Sequence, residues 1–135
     1  MPEIAAAFDI LQATQRRVRK PELIACPTCG RLEIDLNKIM GELRDRMGDR
    51  KTPIKVSVLG CIVNGPGEAK EADLGIAAGK GKGVIFKRGE MIRHVLEHEM
   101  VDALMEEVEL WERENAGKVP VAAPGDGRVR LPLLK

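Results

Sequence analysis

Four side chains in this 135-residue sequence have the types and spacing to hold iron and sulfur together. Cys26-Pro27-Thr28-Cys29 is a C-x-x-C loop, a third cysteine stands at Cys61, and Glu68 follows it on the run Asn64-Gly65-Pro66-Gly67-Glu68. Thiolates are the preferred ligands of iron-sulfur clusters, and a C-x-x-C loop lets two sulfurs reach adjacent corners of a cubane while a distant cysteine supplies a third. The fourth iron then takes an oxygen or nitrogen ligand, or none. Glu68 is the carboxylate on the same glycine-rich loop as Cys61. A carboxylate is harder and more readily displaced than a thiolate, so an iron held by one can exchange it for a substrate oxygen. Such a cluster is a catalyst and not only an electron carrier.

The same residues admit plainer readings. A lone C-x-x-C loop also serves structural zinc and thioredoxin-type redox sites, and zinc could take three cysteines and one other side chain. A carboxylate beside glycines is commonly a solvated loop residue. His94-Val95-Leu96-Glu97-His98 matches the zinc-protease pattern H-x-x-E-H,. That motif needs one continuous helix, whereas here a strand is expected to end at His94 and a helix to begin at Glu97, which favours two surface histidines. Gly79-Lys80-Gly81-Lys82-Gly83 looks like a phosphate cradle but lacks the strand-to-helix context, so a flexible hairpin turn is the favoured reading,.

The elements that must position these residues are legible from periodicity. Glu22-Leu23-Ile24-Ala25 is a short apolar strand running into Cys26, and Leu36, Ile39, Met40, Leu43 and Met47 trace a helical face that stops at Gly48,. Ile54, Val56 and Val58 alternate with Lys55 and Ser57, which predicts a strand delivering Cys61 at its end,. Leu74 to Ala78 and Val84 to Lys87 read as a hairpin, and Met91 to Val95 as a further strand after Arg88-Gly89,. Met100, Leu104, Val108 and Trp111 mark a closing helix expected from Glu97 to Asn115,. Ahead of these, residues 3 to 18 place Ile4, Ala7, Phe8 and Leu11 at helical spacing and then turn basic,. The expected fold is an α/β (α+β) sandwich, a mixed sheet of about four to five strands with packed helices.

Composition narrows the function classes. Lys and Arg total 22 against 21 Asp and Glu, so no global field draws in nucleic acid or a membrane surface,. Two Phe, one Trp and no Tyr leave little surface for stacking bases,. No apolar run approaches the roughly 20 residues of a membrane span, and the start lacks a signal-peptide pattern,. A soluble, unexported protein without nucleic-acid or membrane partners is expected. An odd count of three cysteines argues against a disulfide framework and for metal or redox chemistry,.

Cys-Pro-Thr-Cys-Gly-Arg at 26 to 31, the string from Leu59 through Gly60-Cys61-Ile62-Val63-Asn64-Gly65-Pro66-Gly67-Glu68 to Ala69, and Leu74-Gly75-Ile76 closely resemble the C-terminal domain of the 4-hydroxy-3-methylbut-2-enyl diphosphate synthase family. The resemblance runs from about Ala5 to Asn115. It implies a 4Fe-4S cluster on Cys26, Cys29, Cys61 and Glu68, in a domain like those of sulfite and nitrite reductases, with Asn64 hydrogen-bonding to bound substrate. It also implies reductive opening of 2-C-methyl-erythritol-2,4-cyclodiphosphate with electrons from ferredoxin or flavodoxin, in a bacterial cytoplasm or plastid stroma. Residues 1–20 correspond in position to the last helix of an N-terminal TIM barrel, 21–115 to the cluster domain, and 116–135 to a flexible tail. In the family a barrel carries the basic residues that hold the diphosphate, and it closes on the cluster domain of its dimer mate. That barrel does not precede Met1, so this chain is expected to bind a cluster and to turn over poorly alone; Lys80 and Lys82 are candidates to touch the diphosphate or the barrel. The other class open to it is a stand-alone electron-transfer or zinc-binding module.

Overall fold

The computed structural model describes residues 2–26, 32–61, 67 and 69–117. Cys29, Asn64, Glu68 and the tail from residue 118 lie outside the described residues. The described part is an α/β fold with one five-stranded mixed sheet: α1 (Pro2–Ala13), β1 (Glu22–Ala25), α2 (Leu36–Met47), β2 (Lys55–Leu59), β3 (Leu74–Gly79), β4 (Lys82–Lys87), β5 (Glu90–Leu96) and α3 (Met100–Asn115). The strands lie side by side in chain order; β1, β2 and β3 are parallel, and β4 and β5 return antiparallel. No helix among the described residues is long and apolar enough to cross a membrane.

Two helices coat one face of the sheet. α2 starts at Asp35, whose carboxylate accepts the Lys38 N–H at 3.0 Å, and buries Leu36, Ile39, Leu43 and Met47 along one stripe,. α3 buries Met100, Leu104, Val108 and Trp111, with Val101, Ala103 and Met105 beside them. Both stripes meet Val56, Val58, Leu74, Ile76, Ala78, Ile85 and Val95 from the sheet in one core. Full burial of a side chain such as Leu43 or Leu104 contributes about 1.5–3 kcal/mol. The rim is tied by ion pairs, Arg50 to Glu112 at 2.6 Å and Arg93 to Glu106 at 2.6 Å. The hydrogen bond and charge of Glu106 raise the pKa of the Arg93 guanidinium, which stays a cation.

The structure corrects several expectations. The alternation in β2 implied one polar face, yet Ser57 is 2% exposed and Leu59 is 2% exposed, so the strand is buried on both faces. A small second cluster, Leu59, Ala77, Val84 and Phe86, lies on the face away from the helices. Central strands flanked on both sides lose the one-sided pattern. As expected, α2 stops at Gly48, which caps it in an ordinary helical conformation with a φ of −55°. The closing helix begins at Met100, after a separate 3-10 turn at Glu97–Glu99. The first helix stops at Ala13, and no residue of it is buried. Its Phe8 ring instead lies under the Arg19 guanidinium, 4.1 Å from the ring centroid,.

The glycine-rich segment forms the expected hairpin, with a two-residue turn. Lys80 and Gly81 both take positive φ, 47° and 76°, the two-residue turn whose twist matches antiparallel strands,. A side chain at Gly83 would collide with Met100. Replacing the fully buried Leu43 by Ala should cost about 2–5 kcal/mol. Urea unfolding should show a lower midpoint with an unchanged slope.

Candidate metal centre

Two of the predicted ligands fall on neighbouring strands. β1 pairs with β2 in parallel, Ala25 opposite Val58, and the ladder continues one step further as the Cys26 N–H donates to the Val58 carbonyl at 3.1 Å. Cys26 therefore stands level with Leu59, and Cys61 follows two residues beyond on the adjacent strand line. Strand spacing and rise put their backbones roughly 8 Å apart, at the end of the sheet where parallel strands finish. Both cysteines are half-buried. The Cys26 side chain packs against Leu59, Ala77, Val84 and Phe86, which form an apolar wall on the inner side of the site.

The two cysteine loops also touch. Gly60, immediately before Cys61, accepts the Leu32 side chain in the space a Cβ would occupy. Leu32 leaves the first cysteine loop and packs on the main core. This contact seats the backbone just before Cys61 against Leu32. Nothing in composition or periodicity flags it; the only signal is a glycine directly preceding a cysteine.

On the donor chemistry, Cys26 and Cys61 fit a shared cluster: both are sulfur ligands, they emerge at one sheet end, and a wall of aliphatic and aromatic groups backs one of them. Among the described residues no three His, Cys, Asp or Glu side chains gather closely enough for a metal ion. The proposed set needs Cys29 and Glu68, which lie outside those residues, as does Asn64. Gly67, beside Glu68, is exposed.

The other motifs resolve differently. His94 lies within β5 opposite Val84, and His98 lies in the 3-10 turn with its Nε2 3.9 Å from Glu99, so H-x-x-E-H does not share a helix. Both histidines are exposed. The Lys80–Gly81 turn lies at the cysteine end of the sheet. Leu59 pairs with Ala77, so continuing that register by two residues puts Cys61 level with Gly79, which pairs with Lys82. Ser57, on the same face as Cys26, is buried and its hydroxyl has no partner among the described residues. A β-branched side chain at position 60 has to displace Leu32; Gly60→Val should destabilise the chain by about 1–3 kcal/mol. Urea unfolding measures the loss, and restoring space with Leu32→Ala in the same chain should recover part of it.

A family model described as the GcpE protein C-terminal domain matches residues 22–110. Curated relatives carrying the name 4-hydroxy-3-methylbut-2-en-1-yl diphosphate synthase (flavodoxin) include one from Thermodesulfovibrio yellowstonii, 49% identical over 106 residues, or 78% of this chain and 30% of the relative. A second, from Dehalococcoides mccartyi, is 51% identical over 106 residues, again 78% and 30%. A third, from Aquifex aeolicus, is 46% identical over 112 residues, 83% of this chain and 31% of the relative. The chain thus spans less than a third of the length of these relatives.

Proposed function

Since this chain belongs to the GcpE protein C-terminal domain family, we propose that it is the cluster-bearing part of a reductase that converts 2-C-methyl-erythritol-2,4-cyclodiphosphate to 4-hydroxy-3-methylbut-2-enyl diphosphate. The observation that carries this reading is the parallel register that brings Cys26 and Cys61 to adjacent strand ends. Cys26, Cys29, Cys61 and Glu68 would hold a 4Fe-4S cluster. The names of the relatives, which include flavodoxin, support an electron-carrier protein as the reductant.

The overall conversion takes up two electrons and two protons, opens the cyclic diphosphate at a carbon–oxygen bond, and releases one water. A bound cluster supplies the electrons. The chain's own residues hold and shape its site: three thiolates anchor it, Glu68 leaves one corner exchangeable, and Asn64 hydrogen-bonds to substrate. The wall of Leu59, Ala77, Val84 and Phe86 keeps water from the Cys26 side,. A clamp for the diphosphate would come from the remainder of a full-length enzyme, by analogy with the family the TIM barrel of a dimer mate, so the domain alone would turn over poorly. In support of a boundary near residue 21, no residue of α1 is buried and the family model begins at residue 22. A helix of 12 residues is marginal on its own and gains from a packing partner,.

Anaerobic purification should give a brown chain with about four irons and four sulfides. Cys61→Ala should lose most of both, whereas Glu68→Ala should keep much of the cluster and abolish turnover once a barrel domain is supplied. A colourless chain holding one zinc would establish the zinc-module reading instead. Glu68→Ala that shifts only the reduction potential would establish a plain electron carrier.

A further inference from the structure

The Lys80–Gly81 turn shares the cysteine end of the sheet, and its two lysines are exposed there. Lys82 pairs with Gly79, and extending the β2–β3 register two residues past its last pair, Leu59 with Ala77, brings Cys61 to about the same level,. At about 4.8 Å per strand, Lys82 stands roughly 10 Å from the Cys61 line. Gly79, between them, has no side chain to intervene. The positive φ of Lys80 places it at the tip of the two-residue turn, and both lysines are exposed. Lys20, Lys55 and Lys87 each sit within 4.0 Å of a carboxylate, whereas Lys80 and Lys82, like Lys38, Lys51 and Lys70, form no such pair among the described residues; what sets the turn apart is its place at the cysteine end of the sheet. Glu97 is the acid beside the turn, its N–H donating to the Gly81 carbonyl at 3.0 Å. Opposite Lys82 on β5, Leu96 is 45% exposed. Two unpaired cations beside an exposed aliphatic group suit a small, transient electron-transfer contact, in which charge steers the encounter and a modest apolar patch seats it.

We propose that the Lys80–Lys82 turn, with Leu96, is the docking surface for an electron-donor flavoprotein whose surface around the flavin is acidic. The proposal rests on the cluster reading above for its purpose but not for its test. The alternative occupants of the same cations are the substrate diphosphate and the barrel of a full-length enzyme, and charge reversal separates them, because only a docking surface for the donor changes flavodoxin binding by this chain alone.

Binding of oxidised flavodoxin to the 135-residue chain, followed through flavin fluorescence, needs no cluster. It should weaken with rising salt and weaken about tenfold or more in Lys80→Glu/Lys82→Glu at low ionic strength. Leu96→Ser should weaken it without changing the salt dependence. Arg113→Glu, on the last turn of α3 at the opposite end of the sheet, should leave it unchanged. In cluster-loaded chain, the double reversal should slow reduction by flavodoxin hydroquinone and leave reduction by dithionite unchanged. Equal flavodoxin binding by the double reversal and the original chain would overturn the proposal, as would equal slowing with dithionite. A raised Michaelis constant for the cyclodiphosphate with unchanged flavodoxin binding would assign the lysines to substrate. Failure of the chain to take up iron would count against the cluster reading alone, because the binding measurement would still decide the docking surface.

Discussion

The backbone ladder between Glu22–Ala25 and Lys55–Leu59 sets the distance between Cys26 and Cys61, and everything proposed for the site follows from it. Parallel strands end at the same side of a sheet, so two cysteines that each follow a strand arrive together although 34 residues of chain separate them,. A slip of one residue in that pairing would turn Cys26 to the opposite face. The register resists such a slip because both faces of β2 are buried. Val56 and Val58 face the helical core, and Leu59 faces the smaller cluster that receives Cys26.

The two faces of the sheet divide the work. The helical face holds most of the apolar burial, with Leu43, Ile54, Leu74, Ile85 and Leu104 all 0% exposed. The other face uses small groups, Ser57, Gly75 and Ala77, next to Leu59, Val84 and Phe86. Small residues leave room for backbone to approach. Gly60 repeats the device at the loop, where its missing Cβ admits Leu32 and so links the second cysteine loop to the core through the first. Packing of Cys26 on the smaller cluster, and of Leu32 against Gly60, holds the backbone at this sheet end.

The chain also shows where such a domain ends. α1 is held by local contacts, Phe8 under Arg19 and Lys20 paired with Asp9 at 2.7 Å, while Ile4 and Ile10 stay exposed at 55% and 64%. By contrast α2 and α3 bury continuous stripes. The relatives are about three times as long as this chain, and the family model begins at residue 22, after this helix.

What the sequence determined by itself was chemistry and local structure. Cysteines in a C-x-x-C pattern, a third cysteine after an alternating strand, and the helical stripes at 36 to 47 and 100 to 111 are local patterns, and local patterns are set by backbone geometry and side-chain type. The tertiary structure decided what depends on strand order and register, which periodicity does not encode. It buried Ser57, moved the start of α3 to Met100, split His94 from His98, and made the glycine at position 60 a packing contact. It also set the Gly79–Lys82 pair at the sheet end where Cys26 and Cys61 follow their strands, because residues far apart in the chain become neighbours only when hydrogen-bonded strands are laid side by side.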